Sequence, residues 1–400
     1  MMDFDVALAG LLDGQSVRPR SVTLPLAQAA NRVLAETLNA RYPSPMFDNS
    51  AMDGYAVCDP EGVLREFTVV SRTLAGDAAA APLNEGEAVR IFTGAPLPEN
   101  TTAVVMQEHT EVDGERLQVH ADIEAGQNMR LQAEEIEIGQ ILLTQGTTLN
   151  TAALGLAASQ GYAEVAVYEP LRVWVVSTGN ELVEPGQPLA DGQIYDANRY
   201  QLLAWLQAQG FAVTDGGILA DDLAHIETAL QQAAEQCDVI ITSGGASVGE
   251  ADYLKQAVEK SGTLTVHSIA IKPGKPFAWG LIGDTRVFVL PGNPVAAFVT
   301  AHMLLLPALN KLAGKRETAW QLTKIRAKAA FHTKKGIKRR EFLRVALSSN
   351  PQGETVAALL PNQGSAMLAT CAAAAGLCDV PAWTTVSEGD SMDVYVLPQG

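Results

Sequence analysis

The chain has 400 residues, 47% of them hydrophobic and 18% charged. That length exceeds one ordinary core and that composition is globular, so two to four domains are expected and an intrinsically disordered chain is excluded. A formal net charge of −17 repels nucleic acid and anionic membranes, which excludes both as general partners and requires a locally basic pocket for any anionic substrate. The four cysteines, Cys58, Cys237, Cys371 and Cys378, form no C-x-x-C pair and no zinc-spaced Cys/His cluster. They are expected as reduced, buried thiols. The start, Met1-Met2-Asp3-Phe4-Asp5, is acidic where a signal peptide is basic. No uninterrupted apolar run approaches the roughly 20 residues of a membrane span. A soluble, cytoplasmic protein is therefore expected.

Residues 1–40 carry two helical patterns. In the second, Leu24, Leu26, Ala29, Ala30, Val33 and Leu34 recur at helical spacing, which predicts a helix. Residues 41–139 change to short runs such as Phe67-Thr68-Val69-Val70 and Ala88-Val89-Arg90-Ile91, punctuated by Gly, Pro and Asn. They predict a small, mostly β domain. A helix over 151–159 and then a strand are expected within 140–168. This piece should pack against 21–40 as a split linker domain, with the β domain inserted into it. Between 171 and 312 strands (173–177, 212–215, 239–242, 265–271, 287–290) alternate with helices (199–208, 223–235, 251–260, 295–312). That alternation predicts a doubly wound α/β domain. Short strands return after Ala313-Gly314-Lys315 and end at Met392-Asp393-Val394-Tyr395-Val396. The boundaries are 1–20 with 169–318 for the α/β domain, 21–40 with 140–168 for the linker, 41–139 for the insertion and 319–400 for a C-terminal β domain.

Three strands of the α/β domain end in unusual loops. They are Ser177-Thr178-Gly179-Asn180-Glu181, Ser243-Gly244-Gly245-Ala246-Ser247-Val248-Gly249-Glu250-Ala251-Asp252 and Pro291-Gly292-Asn293-Pro294. Glycine lets backbone approach a ligand, and loops at the carboxyl ends of parallel strands share one crevice. Glu181, Ser243, Glu250, Asp252 and Asn293 are therefore expected to face one pocket. Asp196 and Asn198 can join it, and Asp221 and Asp222 follow another strand in the same way. Each also has a plainer reading. Asp221 or Asp222 can cap the next helix, Asn293-Pro294 can start one, and Asp196 can form a turn. Lys272-Pro273-Gly274-Lys275-Pro276 sets two lysines on a stiff turn, which suits an oxyanion or phosphate. Acids that hold a hard cation such as Mg²⁺, beside lysines that hold phosphate, fit the making or breaking of a phosphoanhydride. Two further dense segments, Phe47-Asp48-Asn49-Ser50-Ala51-Met52-Asp53-Gly54-Tyr55 and Thr93-Gly94-Ala95-Pro96-Leu97-Pro98, read only as turn-rich loops.

Taken together and in order, these segments resemble the molybdopterin molybdenumtransferases, along essentially the whole chain. The resemblance implies an α/β molybdopterin-binding domain with an inserted mostly β domain, a helical linker and a C-terminal small β-barrel. It implies an enzyme that inserts molybdenum from molybdate into adenylylated molybdopterin and releases AMP, with Mg²⁺ required. It further implies a homodimer whose cleft joins the α/β domain of one subunit to the β domain of the other. A molybdopterin adenylyltransferase and molybdoenzyme acceptors are the partners it admits. By matching position, Asp53, Thr93, Glu181, Asp221 and Asp252 are the catalytic set, with Glu181, Asp221 and Asp252 for Mg²⁺. Ser177, Asp196, Asn198, Ser243, Gly244, Gly245, Ser247, Gly249, Pro291, Asn293 and Pro294 fall to the adenylylated pterin. Lys272, Lys275, Pro276, Arg339 and Ser365 fall to molybdate.

The chain departs from the family pattern at Ala133 (commonly Gly), Glu135 (Asp), Ser268 (a basic residue) and Ala296 (Ser). The last two changes remove a positive charge and a donor near the expected oxyanion site. Two rival readings are an adenylyltransferase-like enzyme on the same α/β domain and a divergent, non-catalytic molybdopterin-binding scaffold. The domains at 41–139 and 319–400 argue against the first. The retained Glu181, Asp252, Lys272 and Lys275 argue against the second.

Overall fold

The computed structural model describes residues 1–16, 20–244 and 253–398. The chain forms two compact units: Met1–Glu36 with Gln145–Asn150 and Glu164–Gly400, and Thr37–Thr144 with Thr151–Ala163.

The larger unit is organised by a six-stranded sheet. Strands Arg172–Thr178, Ala212–Leu219, Val239–Ser243 and Thr285–Leu290 run parallel. Pro276–Ile282 and Gly262–Ser268 extend the sheet antiparallel at one edge. Side chains alternate across these strands, and both faces are apolar. Val173, Val175, Val239, Ile241, Phe288 and Leu290 pack on one face with Phe4, Leu8, Leu11, Leu202 and Leu206. Val176, Ile240, Val287 and Val289 pack on the other with Ile226, Leu230, Leu254 and Val258. Each fully buried aliphatic side chain contributes about 1.5–3 kcal/mol, so helices must cover both faces. Helices Phe4–Asp13 and Ala197–Ala208 cover the first, and Leu223–Gln236 and Tyr253–Ser261 the second. The doubly wound α/β arrangement expected from the alternation is the one found.

Helix Pro294–Leu312 is apolar enough to cross a membrane by length and composition, but it is mostly buried in this core. It relaxes into a π-helical stretch over Ala301–Leu305, just before Pro307. Proline has no N–H to donate and its ring crowds the preceding turn.

In the same unit, strands Lys324–Ala329, Arg340–Ser349, Thr355–Leu359, Gly376–Val380 and Ser391–Val396 close into a five-stranded barrel. Its core holds Leu343, Val345, Cys378, Val380 and Val394. Ile271–Lys272 pairs in parallel with the start of Arg340–Ser349 and ties the barrel to the α/β sheet. The four cysteines are free and buried, as expected.

The smaller unit carries a six-stranded mixed sheet that includes Gly54–Val57, Glu66–Thr73, Glu87–Ile91 and Ala103–Met106. It also holds the expected helix Thr151–Ser159.

The helix predicted within 21–40 is absent. Ser21–Pro25 is a strand paired with Glu164–Tyr168, and Leu26–Gln28 is a single 3-10 turn. Pro25 has no amide hydrogen for a helical bond, and Val22 and Leu24 find Val167 and Val165 as cross-strand partners. The strand expected over 265–271 ends at Ser268, because the backbones of Ser268 and Ala270 bond Met2 at 2.7 Å each.

Candidate active site

At the carboxyl edge of the parallel strands lies a cavity of about 1030 Å³, just above the roughly 300–1,000 Å³ of ordinary small-molecule sites. It gathers Ser177, Glu181, Asp196, Asn198, Asp221, Ser243 and Gly244 from the strand-end loops, with Pro291, Asn293 and Pro294 at the start of the long helix. Lys272, Lys275, Pro276, Arg339 and Ser365 line the same cavity. Gly245, Ser247, Gly249, Glu250 and Asp252 lie outside the described residues. Asp53 and Thr93 belong to the smaller unit.

The acids of the cavity come from one edge of the sheet, since Glu181 and Asp221 follow the adjacent strands Arg172–Thr178 and Ala212–Leu219. The Asn180 and Asp221 loops clasp each other: the Asn180 amide donates to Asp221 Oδ2 (3.2 Å) and the Asp221 amide to Asn180 Oδ1 (3.1 Å). This sets Asp221 beside the loop that carries Glu181. Gly179 makes the turn at φ +146°, where a Cβ would fall 2.6 Å from Glu181 Oε2. The two adjacent aspartates divide their tasks. Asp222 accepts the His225 amide at 2.8 Å and caps helix Leu223–Gln236, whereas Asp221 faces the cavity. Among the described residues no group of three or more His, Cys, Asp or Glu could hold a metal. Two carboxylates do suit Mg²⁺, which is usually held by one or two of them with water and substrate phosphates. The oxygen-only set, Glu181 and Asp221, fits that ion and no soft metal.

The floor is rigid. Asn198 Nδ2 donates to Ser243 Oγ and to the Gly292 carbonyl, both at 2.7 Å, and so ties the start of helix Ala197–Ala208 to the ends of two strands. Asn198 Oδ1 and Ser177 Oγ are buried and meet no partner among the described residues. Asp196 caps helix Ala197–Ala208 through the Arg199 amide (3.1 Å) and binds Arg199 Nε (2.9 Å). Its carboxylate is thus committed to structure. Arg199 is almost fully buried and also meets Asp215 and Glu184. Burial alone would lower its pKa, but these bonds outweigh that and hold it above the ordinary arginine value.

The cations come from the other edge, where the Lys272–Lys275 turn joins strands Gly262–Ser268 and Pro276–Ile282, and this is the basic end. In the Lys272–Lys275 turn Gly274 has φ +108°, and a Cβ there would come within 2.6 Å of Thr300 Cγ2. No other residue fits both demands. Lys272 pairs with Glu341 at 2.9 Å. Among the described residues Arg339 bonds only the Ile271 carbonyl, at 3.4 Å, whereas the next arginine, Arg340, is taken by Asp379 and Asp5. Of this pair, Arg339 is therefore the one left for a ligand. Ser365 sits on a loop docked to the helix start by the Val295 amide (3.0 Å). Ala296 lines this end without a hydroxyl, and Ser268 gives its carbonyl to Met2. Sequence reasoning passed over Tyr253 and Gln363, which also line the cavity. Tyr253 follows the Ser243–Asp252 loop and Gln363 lies two residues before Ser365, and that adjacency was the available signal.

In the smaller unit Asp53 Oδ1 accepts both the amide and the hydroxyl of Thr93, each at 2.8 Å. The Thr93 amide, then its hydroxyl, hold the carboxyl below its usual pKa, so Asp53 stays ionised. Arg90 braces the pair's flanks by donating to the carbonyls of Gly54 (2.8 Å) and Ile91 (3.4 Å). Ala133 adopts φ +63°, and Glu135 accepts a bond from the Ser44 hydroxyl at 2.9 Å.

The fold and cavity define a class: multidomain α/β proteins with a strand-end cavity that sets acids against cations. Three family models match in succession: the MoeA N-terminal region (domain I and II) over 2–161, a probable molybdopterin binding domain over 174–311, and the MoeA C-terminal region (domain IV) over 326–397. A molybdopterin molybdenumtransferase of Haemophilus influenzae is 40% identical over 369 residues, 91% of each chain. Molybdopterin molybdenumtransferase 2 of Mycobacterium tuberculosis is 35% identical over 94% of this chain and 95% of its own. A crystal structure of a molybdopterin biosynthesis MoeA protein from Pyrococcus horikoshii superposes with a TM-score of 0.84 at 25% identity, over 99% of this chain and 100% of that one. The chain belongs to the molybdopterin molybdenumtransferase family, transferases of molybdenum cofactor biosynthesis.

Proposed function

We propose that the protein inserts molybdenum from molybdate into adenylylated molybdopterin and releases AMP, with Mg²⁺, in the cytoplasm. The observation that carries this reading is the mixed charge of one cavity: Glu181 and Asp221 follow strands at one edge of the sheet, the Lys272–Lys275 turn joins the two strands at the other edge, and all of them line the cavity with Arg339. Mg²⁺ held by Glu181 and Asp221 would neutralise charge on the phosphoanhydride. Asn198, Ser243 and the Gly292 backbone form a fixed floor that orients the ligand without reorganising. The lysines, Arg339 and Ser365 offer the donors a tetrahedral dianion needs. The pterin's own soft sulfurs bind molybdenum, which agrees with cysteines that are buried structural thiols.

The proposed unit of function is a homodimer in which Asp53 and Thr93 of one copy complete the cavity of the other. A molybdopterin adenylyltransferase would supply the ligand, and molybdoenzymes would accept the product. The rival of an adenylyltransferase-like enzyme gives no use to Arg339 and Ser365, which reach the cavity from the barrel side. The test is to incubate protein with adenylylated molybdopterin and Mg²⁺, with and without molybdate. AMP release that depends on molybdate supports the proposal. Release that ignores molybdate, or ligand binding with no release, contradicts it.

A further inference from the structure

Arg344 is fully buried, yet every acceptor it meets among the described residues is neutral. Nε donates to Thr370 Oγ1 (2.8 Å), and Nη2 to the carbonyls of Asn362 (3.1 Å) and Gly364 (3.3 Å). Nη1 has no partner. Burying a cation without a counter-ion is costly, and burying it short of one donor bond adds to the cost. Two other arginines show the usual solution. Arg340 has Asp379 and Asp5, and Arg199 has three carboxylates.

The position explains what the cost secures. The backbone of Arg344 interlocks with the loop it bonds: its amide donates to Gln363 Oε1 (2.9 Å), and its carbonyl accepts from Gln363 Nε2 (2.9 Å) and from the Leu360 amide (3.1 Å). Gln363 Nε2 also donates to the Leu360 carbonyl at 2.8 Å. Gln363, Gly364 and Ser365 are the segment that lines the basic end of the cavity. Asn362 turns the chain there at φ +58°. The guanidinium thus holds the loop's carbonyls on the barrel side, away from the face that lines the cavity. Its unneutralised charge stands directly behind that loop, where a low dielectric lets it act beyond contact range.

We propose that Arg344 is the positioning residue of the oxyanion end: it fixes the Gly364-Ser365 loop against the cavity and keeps an unpaired positive charge behind it. Arg344 acts through the loop and touches no ligand. This rests on the reading that the basic end takes molybdate.

The test uses the full chain and molybdate alone, with binding followed by equilibrium dialysis. Wild type, Arg344→Lys and Arg344→Gln are compared, and circular dichroism confirms their folding. Lysine keeps the charge but not the fork, and glutamine keeps neither. The expected loss of affinity is about threefold for Arg344→Lys and about thirtyfold for Arg344→Gln. Equal losses in both variants would make the role purely structural and overturn the proposal, as would no loss in either. If Arg344→Gln does not fold, Thr370→Val decides, since it frees Nε while keeping the charge. A loss of about threefold supports the role and no loss refutes it. Wild type that fails to bind molybdate at millimolar concentration sinks the site reading itself. Wild type that binds, with variants that match it, sinks only Arg344.

Discussion

Replacing Lys275 by alanine is expected to weaken molybdate more than replacing Lys272, although both lysines stand on one turn. Lys272 lies 2.9 Å from Glu341, so its field at the cavity is largely cancelled. Lys275 has no such partner among the described residues. Two unit charges 4 Å apart interact by about 1 kcal/mol in water and about 4 kcal/mol at an effective dielectric constant of 20. Lys275 is exposed, which places it near the lower figure, and molybdate's second charge doubles it to about 2 kcal/mol. Lys275→Ala should therefore raise the molybdate KM roughly 30-fold, at about 1.4 kcal/mol per factor of ten. Lys272→Ala should raise it no more than about threefold, and Glu341→Gln, which unmasks Lys272, should lower it by a similar factor. The assay is a molybdate titration of AMP release at ~0.05 M and ~0.5 M salt, where screening must shrink the Lys275 effect. Equal effects at the two lysines, or a larger one at Lys272, would refute the reasoning.

Asp222→Ala should cost about 1 kcal/mol of stability through the lost helix cap, with turnover unchanged. Asp221→Asn should do the reverse, lowering turnover at least about tenfold with the melting temperature held; matching losses in both would deny the division of tasks. Ala133→Gly relieves a left-handed alanine worth roughly 1 kcal/mol, less the entropy glycine gains on unfolding. Urea unfolding should show a gain of about 0.5 kcal/mol, and a loss beyond ~1 kcal/mol would show that the backbone there is unstrained. Burial pushes the His302 imidazole down from 6.5 to about 4. The unfolded chain therefore takes the proton first as pH falls, so this stability is complete above pH 6.5 and disappears towards pH 4. The loss is about 3 kcal/mol. His302→Gln should flatten the pH dependence of stability in that window, and an unchanged slope would assign it elsewhere.

The α/β domain was legible because strands buried on both faces read as short continuous apolar runs between amphipathic helices. Local pattern failed at 21–40 because the deciding partner, Glu164–Tyr168, lies some 140 residues away. Strand-end loops disclosed Glu181, Asp221, Asn198 and Ser243, since topology alone brings such loops to one edge. The choice of Asp222 as the cap was not readable, because either aspartate could precede that helix. Likewise, Arg339 and Arg340 are adjacent and alike in sequence. Only Asp379 and Asp5, brought in from other elements, remove Arg340 from contention. The burial of Arg199 and Arg344 leaves no local mark in the sequence, since the groups their guanidinium ions bond lie up to 26 residues away along the chain.

The central claim is that one cavity couples anhydride cleavage at its acidic end to molybdenum insertion at its basic end. The most direct measurement is a single turnover with radiolabelled molybdate and adenylylated molybdopterin, counting both pterin-bound molybdenum and free AMP. The account predicts one molybdenum inserted per AMP released in wild type, and joint loss of both in Asp221→Asn. AMP released without molybdenum incorporation, or molybdenum inserted while the anhydride stays intact, would contradict it.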